Sequence, residues 1–255
     1  MDIYVIGSGT AIPAEGHSPA GIVVIHKGSP ILLDIGPGTL SRLHLANLTY
    51  DQLDTLLLTH LHPDHTLDLA TLLQVFDSAP DAQRTRPFSI YGCRGTNGFI
   101  ERLFTLYPAI TPQTYPIVIK EVYRDDFSVG NLQIKTAPSG HTDESVAYRI
   151  QDGRSSMVYS GDASDQGNLV KLAEGADVFI CECSFPEGWE TGDHLNAETA
   201  GRIAHLAGVQ KLVITHRYPP ALSADLVSQI SNYYKGELVL ASDGLHIIVK
   251  INCDE

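Results

Sequence analysis

The sequence predicts an α/β fold, a four-layer αββα sandwich, on three observations. Strand-like apolar runs come first and helical patterns follow, and that order runs twice along the 255 residues. The run Leu56-Leu57-Leu58-Thr59-His60 is echoed in the second half by Leu212-Val213-Ile214-Thr215-His216. Each echo follows a strand that ends on an acidic turn, Asp34-Ile35-Gly36 in one half and Gly161-Asp162-Ala163 in the other. With 43% hydrophobic residues and no linker-like stretch, the chain can bury a sizeable core as one domain over residues 1–255.

In order, short apolar runs between Gly/Pro turns predict strands over 3–6, 21–26 and 31–34. Leu40, Leu43 and Leu45 give 37–47 the spacing of a short helix. A strand over 54–59 leads to a helix over 67–76 with Leu69, Leu72, Leu73 and Phe76 inward. A strand at 88–91 precedes a helix over 97–106, and Pro108 and Pro112 make 107–115 a loop. Strands are expected over 117–123, 132–136, 145–150 and 156–160. The remainder reads as helix 167–174, strand 177–183, helix 197–207, strand 211–215, helix 221–233 and strands near Leu238 and His246.

Charge narrows the partners. Seventeen Lys and Arg against 30 Asp and Glu give a net charge of −13, the wrong sign for broad phosphate neutralisation. RNA is therefore disfavoured as a partner. No apolar run approaches the roughly 18–20 residues that span a bilayer. The N-terminus also lacks the basic segment of a signal peptide, so a soluble, cytoplasmic protein is expected. Of the four cysteines, Cys93 and Cys253 stand alone. Cys181 and Cys183 share one face of a strand and read as small buried residues, not as half of a zinc or redox site.

The strongest chemical signal is Thr59-His60-Leu61-His62-Pro63-Asp64-His65, between an apolar strand and a helix. Three imidazoles and a carboxylate so close together are costly in a core unless they bind something, and a polar surface turn needs no such set. The spacing suggests two ions: His60 and His62 can project to one side, while Asp64 and His65 point elsewhere. Further ligands are available at later turns in His141, Asp162 and His216, and the two oxygens of Asp162 suit a bridge. His/Asp ligation suits zinc, the expected ion, and manganese and iron accept the same set.

This pattern resembles the metallo-β-lactamase fold superfamily, whose His-x-His-x-Asp-His signature stands here at 60–65, with His141, Asp162 and His216 in the expected order. The resemblance implies His60, His62 and His141 on one metal, Asp64, His65 and His216 on a second, and Asp162 bridging. Histidine at position 62, where the di-iron redox branch carries Glu, favours hydrolysis. Within the superfamily the chain is most similar to ribonuclease Z. Glu182 within Cys181-Glu182-Cys183-Ser184 resembles the family's His-Glu-Ala-Thr segment, and His194-Leu195-Asn196 its His-Ser-Thr motif. The resemblance implies Asp64, His194 and Glu182 as catalytic residues, with His194 protonating the leaving oxygen and Glu182 orienting it. It also implies a homodimer acting on a phosphodiester through a hydroxide held between two divalent ions. Carboxylic or sulfate esters, lactones and thioesters are the alternative substrates, and an inactive metal-stabilised binding module is the alternative of another class.

The chain departs from that family in two places. Only twenty residues separate His141 from Asp162, leaving no room for a long basic arm, and Pro13-Ala14-Glu15-Gly16-His17-Ser18-Pro19 replaces a Lys/Arg-Asn loop. A small phosphodiester or ester is the expected substrate. His17 reads equally as a residue of the site mouth or an ordinary loop histidine, and Arg217 as an anion contact or half of a surface salt bridge. Gly7-x-Gly9 lacks the third glycine of a dinucleotide loop and reads as a tight turn. Asp34 reads as a brace for the metal loop, and His26, His44, His205 and His246 as structural or solvent-facing. Trp189 and the tyrosines show no basic–aromatic interleaving of a single-strand groove.

Overall fold

A computed structural model describes residues 1–79 and 83–249. The first sheet contains β1 (Asp2–Gly7), β2 (Gly21–His26), β3 (Ser29–Leu33), β4 (Thr55–Leu58), β5 (Phe88–Gly92), β6 (Ile117–Glu121) and the late strand β14 (His246–Ile248). Its order is β14-β1-β2-β3-β4-β5-β6. The second sheet contains β7 (Asp126–Val129), β8 (Leu132–Pro138), β9 (Val146–Gln151), β10 (Ser156–Tyr159), β11 (Val178–Glu182), β12 (Lys211–Thr215) and β13 (Glu237–Leu240), in the order β13-β12-β11-β10-β9-β8-β7. Each sheet begins as antiparallel hairpins and continues as parallel strands, from β3 to β6 and from β10 to β13.

Helices α1 (Thr39–Arg42), α2 (Pro63–Thr66), α3 (Asp68–Ser78) and α4 (Thr96–Leu106) belong to the first half. Helices α5 (Leu169–Leu172), α6 (Ala197–Ala207), α7 (Pro219–Leu222) and α8 (Leu226–Ser231) belong to the second. Three apolar layers separate the four structural ones. Ile3, Val5, Leu57, Ile134, Tyr148 and Val213 fill the space between the sheets. Leu56, Leu58, Leu69, Leu72, Leu73 and Phe76 pack helices on the first sheet, and Cys181, Ala200, Ala204, Leu212 and Ile214 do so on the second. The echoed runs are apolar throughout because alternate residues point into different cores: Leu57 faces the opposite sheet while Leu56 and Leu58 face helices. This is the predicted αββα sandwich.

Several element boundaries differ from expectation. The span 37–47 holds α1 and then a 3₁₀ turn, Leu43–Ala46, ended by Asn47 in a left-handed conformation at φ 54°. The expected helix 221–233 is two pieces, because the Asp225 side chain accepts the Ser228 amide at 3.0 Å and starts α8 afresh. The loop 107–115 contains a 3₁₀ turn at Pro108–Ile110. Strand β7 was not expected; its Asp-Phe-Ser-Val run is short and lies at the sheet edge, with only partial burial. The sequence echo is also offset. By sheet position β4 corresponds to β11, the strand beside β10, so the second Thr-His stands one strand further along.

Cys93, Cys181 and Cys183 are buried free thiols, the last two in the same helix-side core. Cys253 lies outside the described residues. Among the described residues, no helix is long and apolar enough to cross a membrane.

Candidate metal centre

Segments leaving the carboxyl ends of β3, β4, β8, β10, β11 and β12 converge on one rim of the sandwich. They carry Asp34, the His60–His65 segment, His141, Asp162, the residues after Glu182, and His216. Close backbone approach is built in. A Cβ at Gly36 would lie 2.0 Å from the Asp64 carbonyl oxygen, so only glycine lets the Asp34 turn sit against the histidine loop. Asp34 (φ 57°) and His216 (φ 52°) both hold left-handed backbone, a conformation that residues other than glycine adopt uncommonly.

Four overlapping groups of side chains result, each with ligand atoms within 4.8 Å of one another; two hold the histidine-loop residues, His60, His62, His141 and Asp162, and Asp64, His65 and His216, while the other two join His194 to His141 and Asp193 and to Asp162 and His216. Asp162 faces both histidine-loop groups. Its Oδ2 lies 3.7 Å from His60 Nε2 and 3.8 Å from His141 Nε2, while its Oδ1 lies 3.2 Å from both His65 Nε2 and His216 Nε2. His62 Nδ1 stands 3.2 Å from His141 Nε2, and His216 Nε2 3.4 Å from Asp64 Oδ2.

The far sides of the rings are anchored. Asp34 accepts His65 Nδ1–H at 2.8 Å, the Thr59 amide at 2.8 Å, the Thr59 hydroxyl at 2.9 Å and the Tyr159 hydroxyl at 3.0 Å. Because the Thr59 hydroxyl spends its proton on Asp34, it receives His60 Nδ1–H, 3.0 Å away. His141 Nδ1–H donates to the Asp193 carbonyl at 2.9 Å. Each bond fixes the tautomer that turns Nε2 inward, the arrangement of ligating imidazoles.

The donor set fits divalent cations. His60 Nε2, His65 Nε2 and Asp162 Oδ1 are buried without a hydrogen-bond partner, a costly state that a shared cation relieves. Burial, then the charge of His65, holds His60 well below the usual imidazole range, so it is a neutral donor. Burial also lowers His65, but the charges of Asp162 and Asp34 outweigh it and raise that group well above the usual range: the field there favours positive charge. Nitrogen and carboxylate oxygen donors in this mixture are ligands that divalent metal ions accept.

Beside both groups stands His194, at ring-centroid distances of 4.8 Å from His141 and 5.8 Å from His216. Its Nδ1–H donates to Glu182 Oε1 at 2.8 Å. Glu182 is fully buried and also accepts from Ala163 N, Ser184 N, Ser184 Oγ and Leu195 N. Burial alone would lower His194, yet the Glu182 hydrogen bond and charge push it up to about 9. At neutral pH His194 is thus a proton donor held in one orientation.

The sequence model of the Beta-lactamase superfamily domain matches residues 30–217, the span that holds every one of these side chains. The chain belongs to the beta-lactamase superfamily. Among relatives, it is 29% identical to the "Probable metallo-hydrolase YhfI" of Bacillus subtilis (strain 168) over 96% of this chain and 98% of that protein. It is also 29% identical to "Ribonuclease Z" of Ignicoccus hospitalis, over 83% of this chain and 86% of that one. The crystal structure of the metallo-beta-lactamase fold protein YhfI from Bacillus subtilis superposes with a TM-score of 0.84 at 26% identity, covering 96% and 98% of the two chains. Proteins bearing these names are hydrolytic enzymes.

On this superfamily frame the remaining sequence signals find their places. Asp34 is the brace that was expected. Gly7 and Gly9 lie under the 17–19 loop, where a Cβ would meet the Pro19 and His17 carbonyls at 1.8 and 2.4 Å. His17 Nδ1–H donates to the Ser8 hydroxyl at 2.7 Å, which in turn donates to Asp243. Arg217 forms no surface salt bridge among the described residues; it is buried and donates through Nη2 to the Ala241 carbonyl at 2.7 Å. The sequence reading missed Ser184, Tyr159 and the ring stack of Tyr218, Phe185 and Trp189. Only Ser184 and Tyr218 had a signal, as neighbours of Glu182 and His216 in the chain.

Proposed function

We propose that the chain is a dinuclear metal-dependent phosphodiesterase of ribonuclease Z-like type, a single hydrolase domain over residues 1–255. The observation that carries this reading is the His194–Glu182 pair facing two adjoining His/Asp groups. In this reading His60, His62 and His141 hold the first ion, Asp64, His65 and His216 the second, and Asp162 bridges them. Zinc is the expected ion, with manganese and iron compatible. Two bound ions would acidify a water molecule and polarise the scissile phosphoryl group.

The chain's own residues supply the rest. Thr59, Asp34 and the Asp193 carbonyl hold the imidazoles in one tautomer, so the donor set needs little reorganisation. Asp64 turns Oδ2 towards His216 Nε2, 3.4 Å away, and its carboxylate would help to position the attacking water. His194 Nε2–H delivers its proton to the leaving oxygen, while Glu182 keeps Nδ1 protonated and the ring aimed.

A small substrate suits this site better than a long polyanion. The chain carries a net charge of −13, and Glu190 and Asp193 border His194 along the loop. The connection from His141 to Asp162 is spent on β9, β10 and the turn between them. The proposal keeps the homodimer and the cytoplasmic placement expected above.

The test is hydrolysis of bis(p-nitrophenyl) phosphate by protein loaded separately with zinc and manganese. Turnover is expected, and Asp162→Ala should reduce it by at least about a thousandfold while lowering bound metal below two ions per chain. Two ions bound with no turnover would overturn the phosphodiesterase reading and turn the search to carboxylic esters and lactones.

A further inference from the structure

On the helix side of the second sheet, Lys135 of β8 and Arg149 of β9 stand directly opposite each other. Both point to that side because the next pair on the same face, Ala137 and Ala147, sits in the helix-side core under α5. Beside α5 the face opens into a cleft of 540 Å³, which Lys171 of α5 and Arg124, just ahead of β7, also line. We propose that this cleft is a binding site for a small molecule carrying two linked phosphoryl groups. It shares no residue with the metal centre, and the inference does not rest on the phosphodiesterase reading.

The charge of the cleft is the reverse of the chain's. Four of the 17 Lys and Arg residues line it, against the two carboxylates of Asp126 and Glu174, in a chain of net charge −13. Like charges directly opposite across a β-ladder are destabilising, so the Lys135–Arg149 pair costs stability that an anion lying between them relieves. Asp126 offsets little of it: its Oδ2 lies 3.7 Å from Lys135 Nζ and both side chains are exposed. Arg124, Arg149 and Lys171 have no ion-pair partner among the described residues. Asp177, which also acts on Arg149, is occupied by Ser156 and Gln210.

Arg149 is built into the wall. Its Nε donates to Gln151 Oε1 at 2.9 Å, and its Nη1 to the Leu172 and Glu174 carbonyls at 3.0 and 2.8 Å. Nη2 has no partner among the described residues. Burial holds the group below the usual guanidinium range although Asp177 and Glu174 act the other way, so its charge is only partly compensated. A guanidinium fixed in this manner loses little freedom on meeting an oxyanion, and Lys135 and Lys171 add mobile point charges. Cations drawn from four segments outnumber what one carboxylate can engage. Two linked phosphoryl groups offer enough oxygens and enough charge, and the cleft has the size of a small-molecule pocket, about 300–1,000 Å³.

The probes are methylenediphosphonate, whose P–C–P link resists hydrolysis, and the α,β-methylene analogue of adenosine diphosphate, each titrated by calorimetry into the zinc-loaded protein. Saturable binding is expected that Asp162→Ala leaves in place, because that residue lies in the metal centre. Lys135→Gln combined with Lys171→Gln should weaken it at least about tenfold, the scale of lost charge-assisted contacts. Glu174→Gln removes an opposing charge and should tighten it about two- to tenfold, a gain that misfolding cannot mimic. Equal affinity of the two probes upholds the site and assigns it to a free diphosphate. Tighter binding of the nucleoside analogue upholds it and assigns it to a nucleotide. Saturable binding of neither probe, or an affinity that neither the Lys pair nor Glu174→Gln moves, would overturn the site. Binding retained in a protein that cleaves no phosphodiester upholds the cleft and overturns the phosphodiesterase reading alone.

Discussion

At His194 one buried carboxylate decides what a neighbouring ring can do. An imidazole in an apolar setting loses its proton, yet His194 holds one because Glu182, itself fed by four other donors, cannot be reached by water. A proton donor matters only where the leaving oxygen cannot depart as an anion. His194→Ala should therefore lower kcat for alkyl phosphodiesters by about 10²–10⁴-fold and barely change the release of p-nitrophenolate. Bound metal should stay at the wild-type level, because His194 lies outside both ligand groups of the proposal. Unchanged alkyl rates would remove the general-acid role. Glu182 stays satisfied in this variant by Ser184, Leu195 and Ala163, so the fold should tolerate the loss.

At the scale of elements, the turn after β3 controls the loop after β4. Asp34 gathers four donors from Thr59, His65 and Tyr159, tying two turns of the first sheet to β10 of the second. Asp34→Asn preserves a side chain that tolerates φ 57° but replaces one acceptor oxygen with a donor. His65 then loses its anchor, and metal affinity should fall about 10–100-fold, measured by competition with a chromogenic chelator. Equal affinity would show that the loop holds its shape without the brace. Elements of this kind were legible in the sequence where composition and geometry agree. Leu69, Leu72, Leu73 and Phe76 mark a helix face, Ala197–Ala207 begins with an Asn196 cap, and Lys211–Thr215 is an unbroken apolar strand. Strand β7 was not legible, because a four-residue edge strand buries too little to impose a pattern. The offset of the Thr-His echo was hidden for another reason: β4 and β12 are both doubly buried parallel strands, and burial on two faces gives any such strand the same composition.

At the scale of the molecule, the candidate centre is assembled from both sheets. His60, His62, Asp64 and His65 follow β4 in the first, while His141, Asp162 and His216 follow β8, β10 and β12 in the second. The sequence named these residues because ligand chemistry is local in residue type. It gave no sight of the ring stack, whose members lie at 185, 189 and 218 and meet only through the fold. On the proposed reading, ions bound by this assembly would cross-link the two halves. An ion present at about a thousand times its dissociation constant stabilises the folded state by about 4 kcal/mol for one site. In a chain of this length each kcal/mol raises the melting midpoint by about 2–4 °C. Stripping the metal with a chelator, followed by dialysis, should therefore lower the midpoint by about 10 °C, and zinc should restore it. Asp162→Ala, which removes the residue facing both groups, should show a smaller difference between stripped and loaded protein. Equal midpoints for stripped and zinc-loaded wild type, measured by calorimetry, would mean that the inter-sheet core of Ile3, Leu57, Tyr148 and Val213 already joins the halves without help from the rim.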